Sequence, residues 1–348
     1  MKYSLLDVAW VGADETPADA LRGAVPLAQA AERSGYQRVW YAEHHNMPQI
    51  ASAATSVLIA HVAAHTERIR VGAGGVMLPN HAPLVIAEQF GTLAALHPGR
   101  IDLGLGRAAG SDRHTARALR LTAAAAESFP QDVLALQGFL RGEPTVPGVR
   151  AVPGHGTDVA LYILGSSLFG ARLAATLGVP YAFAAHFAPL ALDAAAETYR
   201  SAYRPSPGHP EPYLIVTANL IAADSEEQAR HQQRASTRYR ARTMLPRGRH
   251  LTDAEVNAVL DSPEGQHLKA MNVHTAVGRP SQVTAQLAAL AARTEADELM
   301  LAPAANERAD RIRSVELVPA PAPGRAARSG TDSVRHNRPP HEPGRLSR

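Results

Sequence analysis

The length, composition and charge of the chain set the first limits on its function. It has 348 residues, 45% of them hydrophobic and 19% charged, so it can bury a sizeable core and cannot be disordered throughout. The formal net charge is +3, but residues 319–348 alone carry six arginines against two acidic residues. Because the preceding part of the chain is close to neutral, we expect no nucleic-acid partner.

The chain contains no cysteine, which excludes disulfides, thiolate metal sites and cysteine nucleophiles. Its first residues lack the apolar core of a secretory signal, and no apolar run is long enough for a membrane span. We therefore expect a cytoplasmic protein that binds no membrane.

The hydrophobic pattern predicts a regular alternation of strands and helices. Short apolar runs bounded by turn residues predict eight β-strands, at 3–9, 38–42, 69–77, 100–104, 159–164, 180–185, 213–221 and 298–302. Alanine-rich amphipathic stretches alternate with them, at 18–34, 52–65, 83–96, 127–140, 167–177, 189–203, 224–243 and 281–294. Eight such units predict an α/β fold with parallel strands, a closed (β/α)8 barrel of the TIM type. An open doubly wound sheet is the alternative architecture.

Two connections are longer than a barrel needs. One comprises 105–126 together with 141–158, after strand 4, and the other is 244–280, after strand 7. We expect both to be insertions over the mouth of the barrel. Pro26 lies inside the first predicted helix and should kink or restart it. Residues 1–318 should form the barrel, and the proline- and arginine-rich tail at 319–348 should be disordered.

The second strand ends abruptly in the polar sequence Glu43-His44-His45-Asn46. Neighbouring side chains on a strand point to opposite faces, so at most one of the two imidazoles should enter a shared site. The carboxyl ends of all barrel strands meet at one mouth, which is where such a site would form.

A metallohydrolase barrel is one interpretation of this mouth, since five possible ligands lie near strand ends. Adjacent histidines on a strand cannot readily bind one ion, which counts against a metal site. We therefore expect none. The five side chains are Asp7, Glu43, His44, His81 and His186.

The turn after strand 5 has features of an anion site. Gly165-Ser166-Ser167 stands where a strand gives way to a helix, so free N–H groups, the helix dipole and two hydroxyls favour a phosphate. Arg107, at the end of the adjacent strand 4, can add a charged fork. The alternatives are a plain N-cap for the serines and a salt bridge at the rim for Arg107.

Glycines are concentrated in strands 3 and 4. Gly72, Gly74 and Gly75 weaken a strand, so either a flat ring approaches this backbone closely or a bulge curves the barrel here. Gly104-x-Gly106-x-x-Ala109 resembles a dinucleotide fingerprint, but it follows strand 4, and no acidic residue ends the next strand. These departures argue against a dinucleotide site.

Four of these segments together resemble the bacterial luciferase-like flavin monooxygenases, in their non-luminous members. The resemblance covers about residues 1–318. Its motifs are Tyr41-Ala42-Glu43-His44-His45-Asn46, Val71 to His81 with its Gly74-Gly75 pair, Ile101-Asp102-Leu103-Gly104-Leu105-Gly106-Arg107, and Leu164-Gly165-Ser166-Ser167.

This resemblance implies an FMN site at the barrel mouth, with the phosphate near Arg107, Ser166 and Ser167. The family's strand-3 segment packs on the flavin ring and can contain a non-proline cis peptide, which would fall at Gly74–Gly75. His44 matches the family's catalytic histidine, with Glu43 assisting it or orienting the histidine pair. The other expected cofactor contacts are Ala9, Asn80 and Gly165.

The expected activity is a two-component monooxygenase that uses FMNH2 and O2 to oxidise a small organic substrate. A separate flavin reductase would supply the FMNH2, and the resemblance implies a homodimer. Gly106 occupies the place of the reactive cysteine of luciferase, which argues against light emission. The alternatives are a deazaflavin (F420)-dependent reductase or dehydrogenase, a metallohydrolase, and a non-catalytic flavin-binding protein.

Overall fold

The structure is a computed structural model that describes residues 1–107, 112–122, 125–143, 146–157, 159–244 and 251–321. The predicted disordered tail lies outside the described residues from 322 onward. Within the described ranges, no helix is long and apolar enough to cross a membrane.

A closed ring of eight parallel strands forms the centre of the fold. In the described residues the strands are β1 (Lys2–Asp7), β2 (Arg38–Tyr41), β3 (Arg70–Met77), β4 (Ile101–Gly106), β5 (Ala160–Gly165), β6 (Tyr181–Phe183), β7 (Leu214–Ala222), β8 (Thr275–Gly278) and β9 (Glu298–Pro303). β1 to β7 pair in sequence, β7 pairs with β9, and β9 pairs back to β1. The predicted (β/α)8 barrel is confirmed, and the open sheet is wrong.

The helices surround this ring. They are α1 (Pro17–Arg33), α2 (Thr55–Ala63), α3 (Pro83–Leu96), α4 (Arg113–Ala118), α5 (Phe129–Arg141), α6 (Leu168–Leu177), α7 (Leu192–Ser201), α8 (Glu226–Met244), α9 (Asp253–Asp261), α10 (Pro263–Ala270), α11 (Pro280–Thr294) and α12 (Arg308–Leu317). All eight predicted helices are present, each end within one helical turn of its prediction. α1 continues past Pro26, so the predicted restart is wrong.

The predicted insertions contain most of the elements that sequence patterning missed; α12, which follows β9, is an exception. β8 lies outside the ring and pairs with Asn219–Ala222 at the end of β7. It follows α9 and α10 in the second insertion, and α4 lies in the first. Asn46, after β2, donates a hydrogen bond to Asp112 at the start of α4, 3.1 Å away. The first insertion is thereby tied to the mouth of the barrel.

A buried polar network fills the barrel at the opposite end. The guanidinium of Arg38 donates to Glu298 at 2.9 Å, to Asp102 at 2.8 Å and to the hydroxyl of Tyr162 at 2.6 Å. Trp40 also donates to Asp102, at 3.0 Å. Burial alone would lower the pKa of Arg38, but the two carboxylates outweigh it and raise that pKa. The barrel is closed at this end, which leaves the mouth as the place for a ligand.

Candidate active site

A cavity of about 550 Å³ opens at the carboxyl ends of the barrel strands, within the range of small-molecule sites. Most of its wall is apolar, with a few convergent polar groups. The predicted site residues that line it are Glu43, His44, Gly74, Arg107, Gly165, Ser166 and Ser167. Ala9, Gly75 and Asn80 lie next to the cavity wall rather than in it.

His44 lies just after β2 in a loop that hydrogen bonds hold in place. Its backbone N–H donates to the carbonyl of Ser52 at 3.2 Å, and the Ser52 hydroxyl donates to the carbonyl of Ala42 at 2.5 Å. Burial lowers the pKa of His44 below its usual value, so the imidazole is neutral near pH 7. Its Nδ1 has no hydrogen-bond partner in the described part of the chain. A neutral imidazole in a cavity suits acid/base chemistry.

Glu43 has a different environment, because its carboxylate binds protein groups. The N–H of Met77 donates to it at 2.9 Å and Asn80 Nδ2 at 2.9 Å, while Nε2 of His45 lies 2.7 Å away and that of His81 3.0 Å away. Burial raises the pKa of Glu43, but these hydrogen bonds outweigh it, and the pKa is lowered. The ionised carboxylate joins the ends of β2 and β3. This geometry makes Glu43 a positioning residue.

The start of α6 faces the cavity with Ser166 and Ser167. Ser167 is the N-cap residue of α6, as one of the two interpretations predicted, but its hydroxyl makes no capping hydrogen bond. Arg107 lies across from it, with Cζ 4.0 Å from the centre of the Phe169 ring. Among the described residues, no acidic side chain forms a salt bridge with Arg107. An anion at this turn would meet two hydroxyls, a guanidinium and the helix N-terminus.

The glycines of β3 are required by the barrel itself. A Cβ at Gly72 would lie 2.5 Å from the carbonyl oxygen of Asp102, and one at Gly75 would lie 2.7 Å from that of Gly104. The pairing of β3 with β4 shifts register between Gly74 and Val76. This shift agrees with the bulge that was one of the two explanations for the glycines. Approach of a flat ring is not needed to explain Gly72 and Gly75. The Gly74–Gly75 peptide is cis, at the position that the resemblance implied.

Comparison with known proteins places this site in a family. The family described as luciferase-like monooxygenase matches residues 1–298. The chain belongs to this family. A luciferase-like monooxygenase of Escherichia coli K12 is 53% identical over 228 residues, which is 65% of this chain and 68% of that protein. YvbT of Bacillus subtilis is 46% identical over 320 residues, 90% of this chain and 95% of that protein.

Solved structures agree with this assignment. Apo-MsnO8 has a TM-score of 0.81 and 35% identity, covering 91% of this chain and 97% of that one. Two more distant structures show the shared fold alone: the oxygenating constituent of 3,6-diketocamphane monooxygenase in complex with FMN, at TM-score 0.67 and 18% identity, and an F420-dependent secondary alcohol dehydrogenase, at 0.66 and 15%. The N-acetyl-S-alkylcysteine monooxygenase of B. subtilis is 36% identical over 238 residues, 66% of this chain and 71% of that protein.

The luciferase-like cavity also contains residues that were not predicted to be catalytic or cofactor-binding. Arg240 on α8 lines it, and burial lowers the pKa of this arginine. His186, after β6, lies nearby: burial, helped by the charges of Arg240 and His44, lowers its pKa to about 3. Arg311 on α12 lines the wall as well, but it is 3.6 Å from Glu15. Within the described ranges, no cluster of three or more His, Cys, Asp or Glu residues has the geometry of a metal site.

Proposed function

We propose that this luciferase-like protein is a flavin-dependent monooxygenase that uses FMNH2 and O2 to oxidise a small organic substrate. One observation carries the proposal. A single apolar cavity contains both an unengaged anion site, at Arg107, Ser166 and Ser167, and a buried neutral imidazole, His44. An elongated cofactor with a phosphate at one end and a reactive ring at the other needs both features.

The anion site fits a flavin phosphate. The backbone N–H groups at the start of α6 have no helical partners, and the helix dipole favours negative charge there. Ser166 and Ser167 would donate from their hydroxyls, and Arg107 would add a charge-assisted hydrogen bond. Phe169, stacked on the guanidinium, holds it in place.

His44 would handle a proton beside the flavin ring. When bound, reduced flavin supplies the two electrons with which O2 is activated. Because burial keeps the imidazole of His44 neutral near pH 7, it can accept a proton from the substrate and return it later. Glu43 contributes indirectly, by holding the ends of β2 and β3 together.

The apolar wall serves the same chemistry. Trp10, Met77, Leu164 and Phe169 line the cavity, and such a wall excludes water that would consume an activated oxygen species. The oxygenase activity named for the B. subtilis cysteine-derivative enzyme, which is 36% identical, supports an oxygenase over a deazaflavin-dependent reductase or dehydrogenase. The separate flavin reductase and the homodimer stay predictions.

Flavin binding tests the proposal. We expect FMN to lose its fluorescence when it is titrated with the apo-protein, and we expect FMNH2 to bind under anaerobic conditions. A deazaflavin should bind more weakly than FMN. Absence of FMN binding in both redox states would contradict the proposal, and tighter binding of the deazaflavin would favour the F420-dependent alternative. If bound FMNH2 reoxidises in air without oxygenating any substrate, the protein is a flavin carrier instead.

A further inference from the structure

Arg240 is a cation in the cavity that the proposed flavin contacts do not use. It lines the cavity wall, and within the described part of the chain it has neither a salt bridge nor a hydrogen-bond partner. The other cations at the wall differ from it. Arg311 donates to the backbone and faces Glu15, and Arg107 stands at the phosphate site. An unpaired charge that is partly withdrawn from water is unfavourable, so a bound anion would stabilise Arg240.

The helix directs Arg240 inward while its neighbours face outward. Arg238 and Arg242, one turn apart on α8, both donate to Asp253. Arg240 lies between them in sequence and about 200° around the helix from either, because each residue adds about 100°. Ser236, one turn before Arg240, also lines the cavity and is buried. Arg240 and Ser236 therefore present a guanidinium and a hydroxyl from one face of α8.

This pair lies in the same cavity as His44 and His186. It comes from α8, which follows β7. Arg107 and Phe169 belong instead to the β4 and α6 side, where the phosphate would bind. An anion at Arg240 would therefore be separate from the flavin phosphate, on a second molecule in the cavity that contains His44.

We propose that Arg240, with Ser236, binds a carboxylate carried by the organic substrate; this rests on the proposed monooxygenase function. One arginine supplies a single positive charge, which matches a monoanion, and its planar fork matches a carboxylate. His186 is neutral at pH 7 and does not compete for the anion. Met271 and Phe187, which also line the wall, would contact the apolar part of the same substrate.

Acid and amide pairs test this subsite. The probes are N-acetyl-S-methylcysteine with its carboxamide, and hexanoate with hexanamide, titrated calorimetrically into the FMN-loaded protein and into the flavin-free chain. In the wild type we expect the acid of at least one pair to bind about 10- to 150-fold more tightly than its amide, the range of a charge-assisted hydrogen bond. Arg240→Met should abolish this preference and leave FMN affinity unchanged, and Arg240→Lys should keep part of it.

Arg234→Met is the matched control, because Arg234 is an exposed arginine on the same helix. It should retain both the acid preference and the FMN affinity. The proposal is overturned if the wild type binds neither acid more tightly than its amide. It is also overturned if Arg240→Met weakens FMN binding as Arg107→Ala does, since Arg240 would then be a flavin contact. Failure of flavin binding alone contradicts the proposed function, while the flavin-free titration still decides the subsite.

Discussion

The carboxylate of Glu43 lies 2.7 Å from Nε2 of His45, and this contact separates the roles of two consecutive histidines. The carboxylate is ionised, so the His45 ring donates to it. His45 is thereby tied to the network that joins the ends of β2 and β3, whereas His44 lines the cavity. The alternation of side chains along a strand predicted that at most one of the pair would enter the site.

Replacing Glu43 with Gln should destabilise the protein and leave the proton chemistry in place. The substitution leaves buried donors with a weaker acceptor, and we expect a loss of about 1–3 kcal/mol in the free energy of unfolding measured in urea. Glu67→Gln, at an exposed carboxylate, is the control and should change little. If Glu43→Gln instead removes one limb of the pH profile of turnover at unchanged stability, Glu43 is a proton donor or acceptor.

Replacing His44 with Ala should slow turnover by about 10²- to 10⁴-fold, the usual contribution of general acid/base catalysis. Affinity for FMN should change by less than about tenfold, because the phosphate contacts remain. Burial lowers the pKa of His44, so the acid limb of the wild-type pH profile should lie below pH 6.5, the usual value for histidine. Unchanged turnover in His44→Ala would assign the residue a structural role.

The barrel and the position of Glu43 and His44 at its mouth were predictable because the sequence signals for them are local. An apolar run that ends in Glu43-His44 marks a strand end, and closure of the barrel places every such end at one mouth. β8 was missed because four residues inside a long insertion carry too short a pattern. Asn80 and Gly75 also have framework contacts that the sequence did not show, since Asn80 donates to Glu43 and a Cβ at Gly75 would meet β4.

Arg240 shows what one sequence cannot reveal. It stands in a helix that also carries Arg230, Arg234, Arg238 and Arg242, and nothing in their spacing tells which arginine faces the cavity. That depends on the rotation of α8 against the barrel, which is set by distant contacts. One such contact is the hydrogen bond from the hydroxyl of Tyr239 to the carbonyl of Val11, at 3.0 Å.

His186 should make the protein sensitive to mild acid. Its pKa is about 3 in the folded state and about 6.5 when unfolded, so the unfolded chain binds a proton first as the pH falls. This contribution to stability is complete above pH 6.5 and is lost between pH 6.5 and 3. At pH 5 the loss is about 2 kcal/mol.

The His186→Gln variant should lack this part of the pH dependence. Between pH 7.5 and 5, its free energy of unfolding in urea should fall by about 2 kcal/mol less than that of the wild type. The comparison uses the change with pH, because the substitution also alters the absolute stability. Glu43 does not interfere, since its lowered pKa confines its effect to pH values below its usual range, near 4.5. Parallel curves for the two proteins would contradict the buried neutral state of His186.

Removal of Arg38 should destabilise the barrel without affecting the cavity chemistry directly. Arg38→Met removes the arginine partner of the buried Glu298 and leaves Asp102 with Arg70 alone, and breaking such a group typically costs about 3–5 kcal/mol. Urea unfolding measures this loss. Arg33→Met, at an exposed pair with Glu316, is the control and should cost less than about 1 kcal/mol. Equal stability of the two variants would show that the network contributes no more than a surface pair.

The contribution of the phosphate group to flavin affinity tests the central claim most directly. The affinities of FMN and riboflavin, which differ only by the phosphate, are measured by fluorescence for the wild type, Arg107→Ala and the control Arg172→Ala, an exposed arginine on α6. We expect FMN to bind more tightly than riboflavin in the wild type and the control. Arg107→Ala should reduce that preference by about 10- to 150-fold, the loss of one charge-assisted hydrogen bond. Equal binding of the two flavins by the wild type would contradict a phosphate site at Arg107, Ser166 and Ser167.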